Sequence, residues 1–152
     1  MRVETISLNP EVVALLTEAR LPVSDLPSSH SLNLLGVREG DRLVGVVGIE
    51  IYGEVGMLRS LVVAESRRNA GLGANLVSDA ERWAAERGVK ALYLLTTTAG
   101  KLFARLGYET VSRAEAPAAI AATAQFADLC PTSSTFMRKV LAADKSLQAR
   151  RP

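Results

Sequence analysis

Apolar and polar residues alternate along the first half of the chain in a pattern that predicts a strand, a helix and three further strands. Asn9, Pro10 and Glu11 supply an N-cap, a first-turn proline and a first-turn acid, which are the residues that open helices. A polar turn at 38–42 separates two strand-like runs and therefore predicts a hairpin. The predicted elements of this half are a strand at 3–7, a helix at 10–19, and strands at 32–37, 43–51 and 55–63.

The second half of the chain changes to a helical period and then returns to strands. Apolar residues recur at helical spacing from Leu72 to Ala84, and Gly88 ends this amphipathic helix. Residues 91–95 are continuously apolar, and the helix before them forms a crossover that predicts parallel pairing with the preceding strand. The remaining predicted elements are a helix at 99–106, a strand at 108–112, a helix from Pro117 to Cys130, a strand at 136–141 and a polar tail at 142–152.

The bulk composition predicts one globular domain. The 152 residues suffice for a single core, which we place at residues 1–141, with 142–152 as the polar tail. Hydrophobic residues make up 48% and charged residues 22% of the chain, which is ordinary globular composition. The sequence has no run of about 18 apolar residues and no apolar leader, so we expect a cytoplasmic protein that does not associate with membranes.

The charge balance and the scarcity of histidine and cysteine argue against nucleic-acid binding, internal disulfides and a metal site. The 18 basic and 16 acidic residues give a net charge of +2 and are scattered, so nothing favours nucleic-acid binding. His30 is the only histidine and Cys130 the only cysteine, so the chain cannot form an internal disulfide and is not expected to hold a metal ion.

The most informative segment is a strand that leads into a glycine-containing turn and then into a helix. Gly71 and Gly73 remove side chains where a backbone could approach a ligand, and the helix that follows offers unpaired N–H groups to an anion. Arg68 adds a cation next to this turn. The segment lacks the third small residue of a dinucleotide fingerprint, at Leu76, and the chain has no phosphate-binding G-K-[ST] loop. The alternative interpretation is a tight turn without a ligand.

The order of the elements and two motifs resemble the GNAT superfamily of acetyl-CoA-dependent N-acetyltransferases over nearly the whole chain. The first motif is Leu61-Val62-Val63 with Arg68-Asn69-Ala70-Gly71-Leu72-Gly73. The second is Leu92-Tyr93-Leu94-Leu95-Thr96-Thr97-Thr98-Ala99 with Phe103-Ala104-Arg105-Leu106-Gly107-Tyr108. The resemblance implies an α+β fold of the α/β/α sandwich type, with helices on both faces of a mixed, mostly antiparallel sheet of about six to seven strands and a central parallel pair.

The resemblance also implies acetyl-CoA as the co-substrate and no metal. Backbone groups of Leu61 and Val63 would pair with the pantetheine amides as an added strand does, and the thioester would lie between diverging strands that end near Val63 and Leu95. Homodimers are frequent in the family, so a homodimer is compatible with the resemblance. The implied acetyl-CoA contacts are Leu61, Val62, Val63, Arg68, Asn69, Ala70, Gly71, Leu72, Gly73, Ala74, Thr97 and Phe103.

A closer resemblance is to the acetyltransferases of arsenic-resistance operons. It rests on residues 94–98 and on the late segment at 116–131, and the T-T-x-T-A run is also similar to the catalytic domain of N-acetylglutamate synthases. Both comparisons imply a small amino acid or an analogue, such as arsinothricin or phosphinothricin, as the amine acceptor. The candidate acceptor contacts are Arg59, Thr96, Ser133 and Ser134.

The sequence departs from the family at the position of the general acid. Many members have a tyrosine four residues before the glycine of the L-G-[FY] motif, and this chain has Phe103 there, which cannot donate a proton. Tyr93, as an acid, and Glu54, as a base acting through water, are the catalytic candidates, and structural roles for both remain alternatives. Two other functions also stay open, namely a protein or peptide N-acetyltransferase and a non-catalytic acyl-CoA-binding module.

Overall fold

The computed structural model describes residues 3–19, 32–64, 71–97, 99–123, 126 and 134–141. The strands are β1 (Val3–Ile6), β2 (Leu32–Glu39), β3 (Arg42–Tyr52), β4 (Val55–Val63), β5 (Ala91–Thr96), β6 (Glu109–Thr110) and β7 (Thr135–Val140). The helices are α1 (Pro10–Glu18), α2 (Leu72–Glu86), α3 (Gly100–Arg105) and α4 (Ala118–Ala121), and a 3-10 turn covers Arg113–Glu115.

The seven strands form a mixed sheet in the order β1-β2-β3-β4-β5-β7-β6. Strands β1 and β2, β2 and β3, β5 and β7, and β6 and β7 pair antiparallel. Strands β4 and β5 pair parallel, from Val55 opposite Ala91 to Met57 opposite Tyr93. The crossover through α2 produces this parallel pair, because two strands joined by a helix run in the same direction. The predicted fold class, an α+β fold with a central parallel pair, is confirmed.

The described residues belong to two compact units, and the first comprises Met1–Glu50 with Leu58–Ala80. The side chain of Asn9 caps α1 by accepting a hydrogen bond from the N–H of Val12 at 2.9 Å, as its sequence position predicts. The carboxylate of Glu11 joins α1 to the hairpin, since it accepts bonds from the N–H of Leu43 at 2.9 Å and from Arg38 at 3.0 Å. The core of this unit consists of Val12, Leu16, Leu34, Leu43, Val46 and Val62.

The second unit comprises Ile51–Met57 with Glu81–Pro152. Its core contains Met57, Tyr93, Ile120 and Phe136. The rings of Tyr93 and Phe136 stack with their centroids 5.5 Å apart, and Phe126 meets Phe136 edge-on at 5.2 Å. Whether the two units act as the predicted single domain stays a prediction.

Two elements differ in extent from the sequence prediction, and a side-chain hydroxyl forms hydrogen bonds near the boundary of each. The strand predicted at 108–112 is reduced to β6 because Ser112 caps the following 3-10 turn in a reciprocal capping box with Glu115. The helix predicted from Pro117 gives α4, after which Thr123 bonds the carbonyl of Ile120 at 2.8 Å through its hydroxyl. The rest of that predicted helix and the tail at 142–152 lie outside the described residues.

Across the ranges that the structure describes, the longest apolar helical stretch falls short of what a membrane-spanning helix requires.

Candidate functional site

The end of β4 and the first turn of α2 form the part of the predicted acetyl-CoA site that the structure describes. Gly71 has a φ of +77°, a backbone conformation that side chains disfavour, and Leu72 then begins α2. A Cβ atom on Gly73 would lie 3.8 Å from a methyl group of Val63, so the first turn of the helix lies next to the end of the strand. The N–H groups of this first turn have no acceptor within the helix and can bind an anion.

Leu61, Val62 and Val63 are the last three residues of β4, as the first motif predicts. Val62 is buried in the core of the first unit, whereas Leu61 and Val63 are half-buried. Leu72 is buried in the same unit, and Gly73 and Ala74 are half-buried. Arg68, Asn69 and Ala70, which were also predicted to contact acetyl-CoA, lie outside the described residues.

Ser60, immediately before this segment, has a left-handed backbone conformation with a φ of +58°. It is the one described residue other than glycine with a positive φ. Serine pays about 1–2 kcal/mol for this conformation, because its Cβ comes close to the following carbonyl oxygen. Strained residues of this kind persist only where neighbouring groups hold them, and they occur most often at functional sites.

Arg59 and Glu50 form an ion pair that is almost completely removed from solvent. Nη1 of Arg59 lies 2.9 Å from Oε2 of Glu50, and the two side chains are 0% and 4% exposed. Nε of Arg59 donates a second bond, to Oγ of Ser60, at 3.1 Å. Arg59 was predicted to hold the acceptor, and the structure directs at least two of its donors to neighbouring side chains instead. Its contact with an acceptor stays a prediction.

The second motif lies in the second unit. Thr96, predicted to contact the acceptor, accepts a hydrogen bond from the N–H of Ala99 at 2.9 Å through its hydroxyl and so caps the turn that precedes α3. Thr97 is exposed. Phe103, predicted to contact acetyl-CoA, is buried, and its ring meets that of Tyr108 edge-on with centroids 5.5 Å apart. The ring of Phe103 is therefore part of the packing around Tyr108.

Tyr108 is held in a polar triad with Glu81 and Lys139. The Tyr108 hydroxyl donates to Oε2 of Glu81 at 2.9 Å, and Nζ of Lys139 lies 3.0 Å from Oε1 of the same carboxylate. Burial raises the pKa of Tyr108 far above its usual value, and the charge and hydrogen bond of Glu81 raise it further. The raised pKa keeps Tyr108 protonated at neutral pH, and its hydroxyl is committed to the structural bond with Glu81.

The two catalytic candidates lie in different environments. Tyr93 is buried between its neighbours on β5, stacks on Phe136, and forms a hydrogen bond with Arg138. Hydrogen bonds to Glu109 and then to Tyr93 raise the pKa of Arg138. Glu54 lies in the turn between β3 and β4, where it is exposed and 3.2 Å from Nζ of Lys90. Their catalytic roles stay predictions.

Ser134 is buried immediately before β7. Its carbonyl accepts a bond from Arg113 at 3.0 Å, and no described residue bonds its hydroxyl oxygen. A buried hydroxyl without a partner among the described residues keeps Ser134 as a candidate acceptor contact. Ser133, the other candidate from this segment, lies outside the described residues.

Among the residues that the structure covers, no three histidine, cysteine, aspartate or glutamate side chains come together as a metal site would require.

Glu50 and Ser60 are not among the residues predicted from the sequence. Glu50 is a lone carboxylate in the otherwise apolar run of β3, and Arg59 with Ser60 interrupts the apolar run of β4. Buried carboxylates need a partner, so these positions in adjacent strands carry a signal for an ion pair. Nothing in the sequence marks the left-handed conformation of Ser60.

Comparisons with known proteins agree with this geometry. The model of the acetyltransferase (GNAT) family matches residues 6–108, which include the hairpin, the glycine-containing turn and the second motif. An uncharacterised N-acetyltransferase of Chlorobaculum tepidum is 36% identical over 73 residues, which are 47% of this chain and 46% of that protein. The match therefore spans about half the length of this curated relative.

Solved structures share the fold at low sequence identity. N-acetylglutamate synthase from Neisseria gonorrhoeae, solved with coenzyme A and N-acetyl-glutamate, has a TM-score of 0.74 and 20% identity, over 93% of this chain and 35% of that one. An aminoglycoside 6'-N-acetyltransferase solved with coenzyme A has a TM-score of 0.71 and 19% identity, over 93% of this chain and 97% of that one.

Proposed function

This chain belongs to the acetyltransferase (GNAT) family, and on that premise we propose that it transfers the acetyl group of acetyl-CoA to the amine of a small amino-acid-like acceptor. The observation that carries the proposal is the junction of β4 and α2. There, a helix start with unpaired N–H groups lies beside the end of a strand, and Gly73 leaves the backbone accessible.

Acetyl-CoA would bind along this junction. The pyrophosphate would accept hydrogen bonds from the N–H groups of residues 69–74, favoured by the positive end of the α2 dipole. The pantetheine amides would pair with the backbone of Leu61 and Val63, as a further strand pairs with a sheet. Coenzyme A in the two solved neighbours supports this assignment.

The reaction needs a neutral amine, a donor for the oxyanion and a leaving thiolate. The amine nitrogen attacks the thioester carbonyl, the C–N bond forms, the C–S bond breaks, and the nitrogen loses a proton while coenzyme A leaves as the thiolate. A backbone N–H in the segment from Leu61 to Val63 would stabilise the oxyanion. A thiol with a pKa near 8.5 leaves readily, so the missing acid at Phe103 removes a factor of only about 10²–10⁴. Tyr93 and Glu54 are the residues to test for the remaining proton transfers.

We place the acceptor among glutamate-like compounds, with arsinothricin and phosphinothricin as the analogues that fit an arsenic-resistance role. Two features support this class. The late segment at 116–131 is similar to arsenic-associated acetyltransferases, and a solved neighbour binds N-acetyl-glutamate. Arg59, Thr96, Ser133 and Ser134 are the proposed contacts. Ser134 is the best supported of the four, because its buried hydroxyl has no partner among the described residues.

The experiment is a measurement of thiol release from acetyl-CoA across a panel of glutamate, aspartate, phosphinothricin, arsinothricin, polyamines and N-terminal peptides. Mass spectrometry of each product identifies the acetylated nitrogen. We expect turnover confined to glutamate-like amines, and a Ser134→Ala variant with a raised KM for that acceptor but an unchanged affinity for acetyl-CoA. Turnover of peptides alone would replace the small acceptor by a protein substrate. Acetyl-CoA binding without turnover of any amine would identify a non-catalytic module.

A further inference from the structure

A buried relay of three side chains ends at the strained residue of β4. Glu50 binds Nη1 of Arg59 at 2.9 Å, and Nε of Arg59 donates to the hydroxyl of Ser60 at 3.1 Å. The guanidinium is planar and rigid, so fixing Nη1 on Glu50 also fixes the direction of Nε. Ser60, the last residue of the relay, is the residue with a φ of +58°.

The surrounding strands leave room for this relay. A Cβ atom on Gly48 would lie 3.2 Å from both Cγ and the carbonyl oxygen of Arg59, so a larger residue on β3 would displace the arginine. Arg59 and Ser60 are 4% and 5% exposed as whole residues, so water does not compete with their hydrogen bonds.

Stability alone does not account for a buried ion pair at this position. An apolar pair of similar volume is often as stable as a buried ion pair, because both charges lose their hydration. A charged relay does, however, specify one geometry, since its hydrogen bonds are directional and any unpaired member would be costly. This relay ends on the side chain of Ser60, the residue whose backbone is left-handed.

We propose that Glu50 and Arg59 are positioning residues that hold Ser60 in its left-handed conformation and thereby aim the N–H groups of the segment from Leu61 to Val63. This inference rests on the proposed function, in which the same N–H groups meet acetyl-CoA and the oxyanion. Neither Glu50 nor Arg59 needs to touch a reactant for this role.

The test replaces the ion pair by apolar residues and then restores the backbone conformation by glycine. In Glu50→Leu/Arg59→Met, we expect a folded protein in which the strong NMR contact between the amide proton and the α proton of Ser60, typical of a positive φ, is lost. The kcat/KM for acetyl-CoA should fall roughly tenfold to a hundredfold, as for other small displacements of reacting groups. Adding Ser60→Gly should recover most of this loss, because glycine adopts a positive φ without support. Adding Ser60→Ala, the matched control, should not.

Two results would overturn the proposal. The first is a Glu50→Leu/Arg59→Met variant in which Ser60 keeps its left-handed NMR signature. The second is a Ser60→Gly variant of that protein in which the amide shifts of Leu61 and Val62 return to their original positions while kcat/KM for acetyl-CoA, measured at saturating acceptor, does not, which would show that the pair does not act through the backbone at Ser60. The NMR measurement needs no ligand, so it tests the relay separately from the proposed function. If the wild-type protein bound no acetyl-CoA, the proposed function would fail. The NMR signature of Ser60 would still show whether Glu50 and Arg59 hold its left-handed conformation.

Discussion

The hydroxyl of Tyr108 donates a hydrogen bond to Glu81 at 2.9 Å, which connects the residue that follows α3 to the α2 helix. Lys139 on β7 bonds the same carboxylate at 3.0 and 3.1 Å and the carbonyl of Leu106 at 2.8 Å. Leu106 and Tyr108 are thus anchored to α2 and β7, which are far from them in the sequence. The triad gives Tyr108 a structural role that is separate from any contact with acetyl-CoA.

Tyr108 should therefore resist ionisation in the folded protein. Its pKa is raised, first by burial and then by Glu81, so the protonated form is favoured by folding. The stabilisation is fully present below the pKa of an unfolded tyrosine, about 10, and is lost as the pH rises beyond it. Absorbance titration of tyrosinate in the native protein should give the same amplitude for the wild type and Tyr108→Phe. In denaturant, the tyrosinate amplitude of the wild type should exceed that of Tyr108→Phe by one tyrosine. A difference in amplitude between the two native proteins would contradict the buried triad.

Glu81→Gln should destabilise the protein by about 1–3 kcal/mol. The mostly buried Glu81 carboxylate accepts hydrogen bonds from Tyr108 and Lys139 through its two oxygens, and a glutamine amide has only one oxygen to accept them. The measurement is the free energy of unfolding in urea at neutral pH. Glu86→Gln is the matched control on the same helix, since that carboxylate is 68% exposed and lies 3.9 Å from Arg87. Its effect should stay within about 0.5 kcal/mol. Equal effects of the two substitutions would show that the triad does not stabilise the fold.

The sequence predicts the sheet well because its signals are local. Alternation defines the hairpin strands, and the crossover through α2 forces the parallel pairing of β4 and β5. Polar side chains that act locally are harder to anticipate, and this is why the cap at Ser112 ends the strand earlier than the apolar pattern indicates. Trp83 shows a related limit, since it falls on the apolar side of the helical period of α2, whereas its ring is half-buried and the Arg87 guanidinium lies 3.7 Å from its centroid.

In the candidate site, too, features set by neighbouring residues can be predicted from the sequence, whereas features set by contacts between strands cannot. The glycine-containing turn is readable because Gly71 and Gly73 stand in a short segment between a strand and a helix. The relay from Glu50 to Ser60 needs the register of β3 on β4. The two-residue turn at Gly53 and Glu54 sets that register and brings Gly48 opposite Arg59. The left-handed conformation of Ser60 depends on these contacts and leaves no mark in the sequence.

Glu11 should make the stability of the first unit dependent on acidic pH. The N–H of Leu43, and then Arg38, lower the pKa of Glu11 below its ordinary value of 4.5. The carboxylate therefore contributes stability above the unfolded pKa, and this contribution is lost as the pH falls through the lower, folded pKa. Urea unfolding of the wild type and Glu11→Gln should differ at neutral pH and converge in acid. In an Arg38→Met background, the difference at neutral pH should shrink, and an undiminished difference would remove Arg38 as a cause.

Gly73→Ala should separate acetyl-CoA binding from stability. The added methyl group would sit 3.8 Å from Val63, an ordinary contact, and alanine favours a helix by up to about 1 kcal/mol over glycine. The free energy of unfolding should therefore stay the same or rise slightly. The methyl group would also occupy the space through which the pyrophosphate approaches the first turn of α2, so calorimetric affinity for acetyl-CoA should fall at least about tenfold, or 1.4 kcal/mol. Gly100→Ala is the matched control, since Gly100 opens α3 and its Cβ would meet no atom within 4 Å. A Gly73→Ala protein that binds acetyl-CoA as tightly as the wild type would show that the pyrophosphate does not approach α2 past this position.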